Sequence, residues 1–193
     1  MSQPYQAISD EKLMIKICAG DTGSFNELYE RYSKRILYYF YRMLGNSEEK
    51  AQDFLQDIFM KIIEKPELFN PKKKFSTWVF CVAHNMCKNE YRSNGVRKIV
   101  ENHEDLSAFC INSKEEKEQM IDLKSFTEKL YKELDKMDEN HKTTFLLRNR
   151  EGFSIKEIGK ALNCSEGTVK SRLFYTCKKL ASKLAIYQPL LRN

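Results

Sequence analysis

Breakers of regular secondary structure are scarce in this chain: its 193 residues include only 7 Gly and 4 Pro. Long stretches between them are free to run as helix, and the expectation is an all-α fold. Long apolar runs are missing too. Mean hydropathy is −0.60, and no run approaches the roughly 20 apolar residues that a bilayer-spanning helix needs, so no membrane insertion is expected. The opening MSQPYQAISDEK has no apolar signal core, which points to the cytoplasm. Catalytic equipment is equally thin. The 3 His (His84, His103, His141) stand beside no evident partner, and neither a Ser-His-Asp set nor a Gly-rich phosphate loop occurs. Neither enzyme chemistry nor a cofactor is expected. The 6 Cys form no Cys-x-x-Cys pair. Cys81, His84 and Cys87 make a C-x-x-H-x-x-C run, but on one helix three such positions converge only partly and no fourth ligand is evident. Buried thiols on a helix, kept reduced in a cytosolic chain, are the expectation, with no metal.

What the chain has in quantity is helical periodicity and charge. There are 33 Lys and Arg against 27 Asp and Glu, a net charge of +6, which permits a nucleic-acid partner. Ser9 and Asp10 can cap a first helix through about Ala19, which Gly20 ends. Phe25, Leu28, Tyr32, Ile36, Tyr39 and Met43 form one stripe of a helix from about Thr22 to Leu44, stopped by Gly45 and Asn46. Ser47 caps a third helix through about Glu64, with Ala51, Leu55, Ile58 and Ile62 inward and Gln52, Asp53, Gln56, Asp57 and Lys61 outward. After Pro66, the loop Glu67 to Lys74 carries three consecutive lysines. A fourth helix spans about Ser76 to Arg92, with Phe75, Trp78, Val79, Val82, Met86 and Tyr91 as its apolar material and Asn85, Lys88, Asn89 and Arg92 as its polar face.

Between Lys72 and Lys98 seven basic residues face the single acid Glu90. Loop lysines, exposed amides and an aromatic-rich helix suit single-stranded nucleic acid. Trp78 itself reads mostly as core. Val100 to Asp122 reverses the sign, with seven acids against Lys114 and Lys117 and weak periodicity around Leu106, Phe109 and Ile111. It reads as a linker, residues 96–122, between an N-terminal domain (1–95) and a C-terminal one (123–193). Helical periodicity resumes at Leu123, with Phe126, Leu130 and Leu134 ending at Met137, and again from Asp138 to Arg150 before Gly152.

The stretch Phe153 to Leu184 is the most informative. Ser154 and Glu157 form a capping box, so a short helix starts at Ile155 and carries Ile155, Ile158, Ala161 and Leu162 on one face. Asn163 and Cys164 break it. Ser165 caps a longer helix whose apolar positions are Val169, Leu173, Cys177, Leu180 and Leu184. Its opposite face carries Lys170, Ser171, Arg172, Tyr175, Lys178 and Lys179. Helix, tight turn and basic helix make a helix-turn-helix, whose second helix enters the DNA major groove.

Four segments in order resemble a bacterial RNA polymerase sigma factor of the sigma-70 family, extracytoplasmic-function class, which keeps only regions 2 and 4. SFNELYERY (Ser24 to Tyr32) resembles the opening of region 2. AQDFLQDIFMKI (Ala51 to Ile62) resembles the D-L-x-Q-E/D-x-F motif, FSTWVFCVAHNMCKNEYR (Phe75 to Arg92) the W-L-x-x-I-A-x-N signature, and SEGTVKSRLFYTCKKL (Ser165 to Leu180) region 4. The chain departs at Phe54, at Val79 in place of Leu, at Met137-Asp138 in place of Leu-Pro, and at Phe174, Tyr175 and Cys177 in place of His, Arg and Arg. The resemblance implies docking on the β′ clamp coiled coil of core RNA polymerase through Asp53, Gln56, Asp57 and Phe59, with the β flap as a further contact. It implies capture of the melted −10 strand by Asn70, Lys72, Lys73, Lys74, Trp78, Asn85, Lys88, Asn89 and Arg92. It implies −35 reading by Ser165, Thr168, Lys170, Ser171, Arg172, Phe174, Tyr175, Lys178 and Lys179, with promoter DNA and an anti-sigma factor as partners. The acidic linker would thread toward the active-site cleft of the polymerase. The competing reading is a stand-alone helix-turn-helix regulator with a helical sensing or dimerisation domain. Such a regulator needs neither the Asp53 to Phe59 motif nor the basic loop with Asn85.

Overall fold

The computed structural model describes residues 4–97, 117–185 and 187, all helix and connecting turn. The helices are α1 Asp10–Cys18, α2 Thr22–Met43, α3 Glu48–Glu64, α4 Phe75–Arg97, α5 Lys117–Asp135, α6 Glu139–Asn149, α7 Ile155–Ala161 and α8 Glu166–Lys183. Most begin as the local sequence dictates. Ser9, Asp21, Ser47, Asp138, Ser154 and Ser165 each turn a side-chain oxygen onto a first-turn amide, satisfying donors that have no helical partner. Left-handed residues follow α1 (Gly20, φ 85°), α2 (Gly45, φ 75°; Asn46, φ 61°), α6 (Gly152, φ 72°) and α7 (Asn163, φ 50°), where Gly and Asn are favoured.

Two helix ends differ from expectation. α4 runs on to Arg97, and its first amide is bonded from a distance: Phe75 N–H donates to Glu11 Oε1 on α1 at 3.1 Å. α5 begins at Lys117, within the stretch expected as linker. Leu106, Phe109, Cys110 and Ile111 of that stretch lie outside the described residues.

α1 to α4 form one bundle around α2, whose stripe Leu28, Tyr32, Ile36, Tyr39 and Met43 is buried. Ala51, Leu55, Ile58 and Ile62 of α3 and Phe75, Val79, Phe80 and Ala83 of α4 close that core. α5 to α8 form the second bundle, with α6 and α7 laid on α8. The two cores meet. α4 packs on α7 and α2 on α6. Phe80 packs edge-on against Phe153 with ring centres 5.5 Å apart, and the Tyr39 hydroxyl meets Thr143 Oγ1 at 3.4 Å. Arg35 pairs with Glu151 at 2.7 Å, and the Glu151 side chain is only 3% exposed. Arg42 and Lys142 share Asp135, each at 2.7 Å.

Candidate polymerase and promoter interfaces

The outer face of α3 carries Asp53, Gln56 and Asp57, all exposed, one turn apart and hence aligned. Phe59 was expected among them and is not: it is 4% exposed, packed on Phe25 and Tyr29 with ring centres 6.0 and 4.7 Å away. An aromatic ring at that register gains more from the core than from water, so Phe59 supports the face from beneath. The sequence reading missed two residues that extend the face. Met60 is 44% and Ile63 48% exposed, three and six positions beyond Asp57. The signal was available: apolar side chains outside the inward stripe of an amphipathic helix.

The basic loop is built on aromatic packing. Phe69 is buried, with ring centres 5.6 Å from Phe75 and 5.3 Å from Trp78. Trp78 is half-buried, so its role in the core outweighs its exposure. Above this anchor Asn70 turns the chain, its Oδ1 accepting from Lys72 N–H at 3.0 Å and its carbonyl from Lys73 N–H at 2.9 Å. Lys72 and Lys73 project into solvent. Lys74 bonds Glu157 of α7 at 2.6 Å. Further along α4, Asn85, Lys88, Asn89 and Arg92 are exposed. Asn85 is exposed, and its amide nitrogen lies 3.8 Å from Cys81 Sγ.

On the inner side of α4, His84 is buried and its Nδ1 meets no hydrogen-bond partner among the described residues. Burial first, then the charges of Lys88 and Arg172, push its pKa down to about 4, so the ring is neutral at neutral pH. Cys87 is fully buried and burial pushes its thiol up, while Cys81 is half-buried. Among the described residues no three metal-binding side chains gather.

The helix-turn-helix is α7, the turn at Asn163 and Cys164, and α8. The capping box is complete: Ser154 Oγ accepts from Glu157 N–H at 3.2 Å, and Glu157 Oε2 accepts from Ser154 N–H at 2.9 Å. The turn depends on Gly159. A Cβ there would stand 2.9 Å from the Cys164 carbonyl, too close for any other residue without backbone movement. The buried side of α8 is Val169, Thr176, Leu180 and Leu184, with Leu173 half-buried. Cys177, expected inside, is exposed, and Thr176 takes its place. A helix turns 100° per residue, so the step of three after Leu173 reaches the core where a step of four overshoots. Lys170, Ser171, Lys178 and Lys179 are exposed, as are Phe174 (62%) and Tyr175 (60%), whose rings lie edge to face at 5.5 Å. Ser165 is exposed and hydrogen-bonds half-buried Thr168 at 2.9 Å. Arg172, like Thr168, is half-buried, with Nη1 3.7 Å from Cys164 Sγ.

Two helical domains, one with an acidic outer face beside a basic loop and one with a basic helix-turn-helix, are the parts of a promoter-recognition factor. Comparisons with known proteins agree. Residues 28–97 match the family model for Sigma-70 region 2 and residues 127–180 that for Sigma-70 region 4. The chain is 27% identical over 195 residues to the ECF RNA polymerase sigma-E factor of Haemophilus influenzae, covering 96% of this chain and 99% of that one. It is 28% identical over 190 residues to the RNA polymerase sigma-H factor of Pseudomonas aeruginosa, covering 95% and 96%. In fold it is similar to the sigma factor RpoE of Bartonella quintana, solved with the anti-sigma factor NepR (TM-score 0.68, 19% identity, 84% of this chain and 97% of that one). It is likewise similar to CnrH, solved with the cytosolic domain of CnrY (TM-score 0.64, 20% identity, 92% and 97%). The chain belongs to the sigma-70 family and to its extracytoplasmic-function class. It is a transcription initiation factor that brings core RNA polymerase to promoters. No helix among the described residues is long and apolar enough to cross a membrane.

Proposed function

We propose that this chain works in the cytoplasm, without catalysis of its own, and divides its labour by surface. Asp53, Gln56 and Asp57, extended by Met60 and Ile63, dock on the β′ clamp coiled coil. The loop Asn70 to Lys74 and the polar face of α4 hold the melted −10 strand. Opening duplex costs about 1.4 kcal/mol per stacked step, and the captured strand must return comparable contacts. Lys72 and Lys73 meet its phosphates. Asn85 and Asn89 lie on one helical face and offer paired donors and acceptors to an unstacked base. In the second domain the exposed start of α8 reads the −35 element in the major groove, with Lys170, Ser171, Phe174 and Tyr175 toward base edges and Lys178 and Lys179 toward phosphates.

The single observation that carries this reading is the coexistence, in one chain, of an exposed acidic helix face, a basic loop and a helix-turn-helix. A stand-alone regulator needs only the last of these. One fold relative was solved with the anti-sigma factor NepR and another with the cytosolic domain of CnrY, and we assign an anti-sigma factor to this chain as well, held between the two domains. Run-off transcription on genomic fragments with core polymerase tests the proposal. Transcripts must start at discrete sites only when this protein is added. Identical transcripts with and without it would sink the reading.

A further inference from the structure

The helix α8 exposes two rings that its own fold does not use. Phe174 is 62% and Tyr175 60% exposed, while Val169, Thr176 and Leu180 close the core on the other side of the helix. Edge-to-face packing with ring centres 5.5 Å apart holds the two rings as one unit. Each stands one turn beyond a residue assigned to base edges, Phe174 beyond Lys170 and Tyr175 beyond Ser171. Adjacent large apolar side chains left in water mark a contact surface. This one is flanked by Lys170, Lys178 and Lys179, all exposed, and three cations select a polyanion over an apolar protein groove.

Base chemistry narrows what the rings can meet. In the major groove guanine is read by Arg or Lys, adenine by a side-chain amide, and thymine by an apolar group against its C5-methyl. α8 has no Asn or Gln, and its single arginine, Arg172, is half-buried with Nη1 3.7 Å from Cys164 Sγ. We infer that Phe174 and Tyr175 read thymine methyl groups, and that the −35 element of this factor carries two thymines within three successive base pairs beneath them. The spacing follows from the rings. Successive base pairs are about 3.4 Å apart, so centres 5.5 Å apart span more than one step and less than two. Each methyl leaves water as it meets a ring, and the lysines hold the flanking phosphates. The inference rests on the −35 assignment of α8.

The test uses the full-length protein assembled with core polymerase and a promoter duplex mapped by run-off transcription. A −35 element without two thymines in that window overturns the inference directly. A second duplex replaces thymine by deoxyuridine across the −35 element alone, which removes the methyls and keeps every hydrogen-bonding group. One methyl taken from water is worth about fourfold in affinity, so wild type is expected to bind the uridine duplex about 15-fold more weakly. Phe174→Ala and Tyr175→Ala, both at exposed positions, should each bind the thymine duplex more weakly and keep only about a fourfold uridine penalty. Tyr175→Phe retains the ring and should retain the full penalty. Equal binding of both duplexes by wild type overturns the inference, and so does a full penalty that survives in both alanine variants. Lys170→Ala separates the two failures. If it weakens binding while uridine makes no difference, the methyl reading falls alone. If neither Lys170→Ala nor the loss of either ring changes binding, the −35 assignment of α8 falls and the methyl reading with it.

Discussion

Glu157 serves two partners at once, and their contributions can be separated. Its Oε2 accepts from the Ser154 amide at 2.9 Å and hydroxyl at 2.7 Å, while Oε1 accepts from Lys74 at 2.6 Å. Lys74 foremost, then the Ser154 donors, hold the carboxyl down to about 2 from its usual 4.5. For stability the order reverses. The Lys74 side chain is 70% exposed, so water and salt screen its attraction. The cap bonds satisfy polar groups at the start of α7 that have no partner within the helix. Glu157→Ala loses both contributions and is expected to cost about 1 kcal/mol, the usual worth of a cap, or about 2–4 °C in Tm for a chain of this size. Glu157→Gln keeps an oxygen for the capping box and loses only the ion pair, so less than half of that drop should follow. The pH dependence follows from linkage. The folded state binds this proton more weakly than the unfolded state, so the contribution is complete above the unfolded value near 4.5 and is lost as pH falls toward about 2. Wild type should therefore lose stability faster than Glu157→Gln in that window. Melts followed by far-UV circular dichroism at pH 7, and stepwise down to about pH 2.5, measure both. A Gln variant that melts as low as the Ala variant at pH 7 refutes the ranking and makes the ion pair dominant.

Four further outcomes follow from the same geometry. Asp57→Arg reverses charge on an exposed face and should weaken recovery of core polymerase in a pull-down while stability shifts by less than about 0.5 kcal/mol; equal recovery removes α3 from the interface. Ser171→Ala should relax base preference at one −35 position by about 1–3 kcal/mol, whereas Lys179→Ala should weaken all sequences alike and flatten the salt dependence; binding measured across a promoter library and a salt series would show the reverse pattern if α8 were oriented otherwise. Asn85→Ala with Asn89→Ala should retain polymerase binding and closed complex but lose permanganate-reactive thymines near −10; normal reactivity at matched occupancy places base capture elsewhere. Thr176 buries a hydroxyl that meets no hydrogen-bond partner among the described residues, so Thr176→Val should stabilise by about 1 kcal/mol, read as a rise in Tm.

Local chemistry made most of the helices legible in the sequence. A cap is written within four residues, so Ser9, Ser47, Asp138, Ser154 and Ser165 announce their helices without knowledge of the fold. Where the deciding partner lies far along the chain, the sequence was silent. α4 starts at Phe75 because Glu11 of α1 reaches its amide, and nothing near Phe75 encodes that bond. On α8 a hydrophobicity pattern chose Cys177 over Thr176, since a thiol reads as more apolar than a hydroxyl. The geometry chose Thr176 because the turn from Leu173 to Leu180 passes through it. Phe59 misled in the opposite sense, since a residue within a docking motif need not be on the surface that docks.

The domain arrangement was the least legible feature, for a reason that bears on function. Arg35 and Glu151 are 116 residues apart and Lys74 and Glu157 are 83 apart. In sequence each of these cations looks like any other residue on a solvated or DNA-facing helix. A lysine selected to grip phosphate carries no mark that distinguishes phosphate from carboxylate, because both offer the same acceptor oxygens to the same ammonium. The basic loop of one domain and the acid of the other therefore meet at the high effective concentration that a single chain imposes. The better shielded contacts between the domains are Arg35–Glu151 and Phe80–Phe153, whereas the Lys74–Glu157 pair is exposed on the lysine side and screened by water. Removing the buried Phe80–Phe153 contact by Phe153→Ala should therefore lower Tm more than Glu157→Ala does, and an equal drop would mean that the exposed pair carries the domain contact.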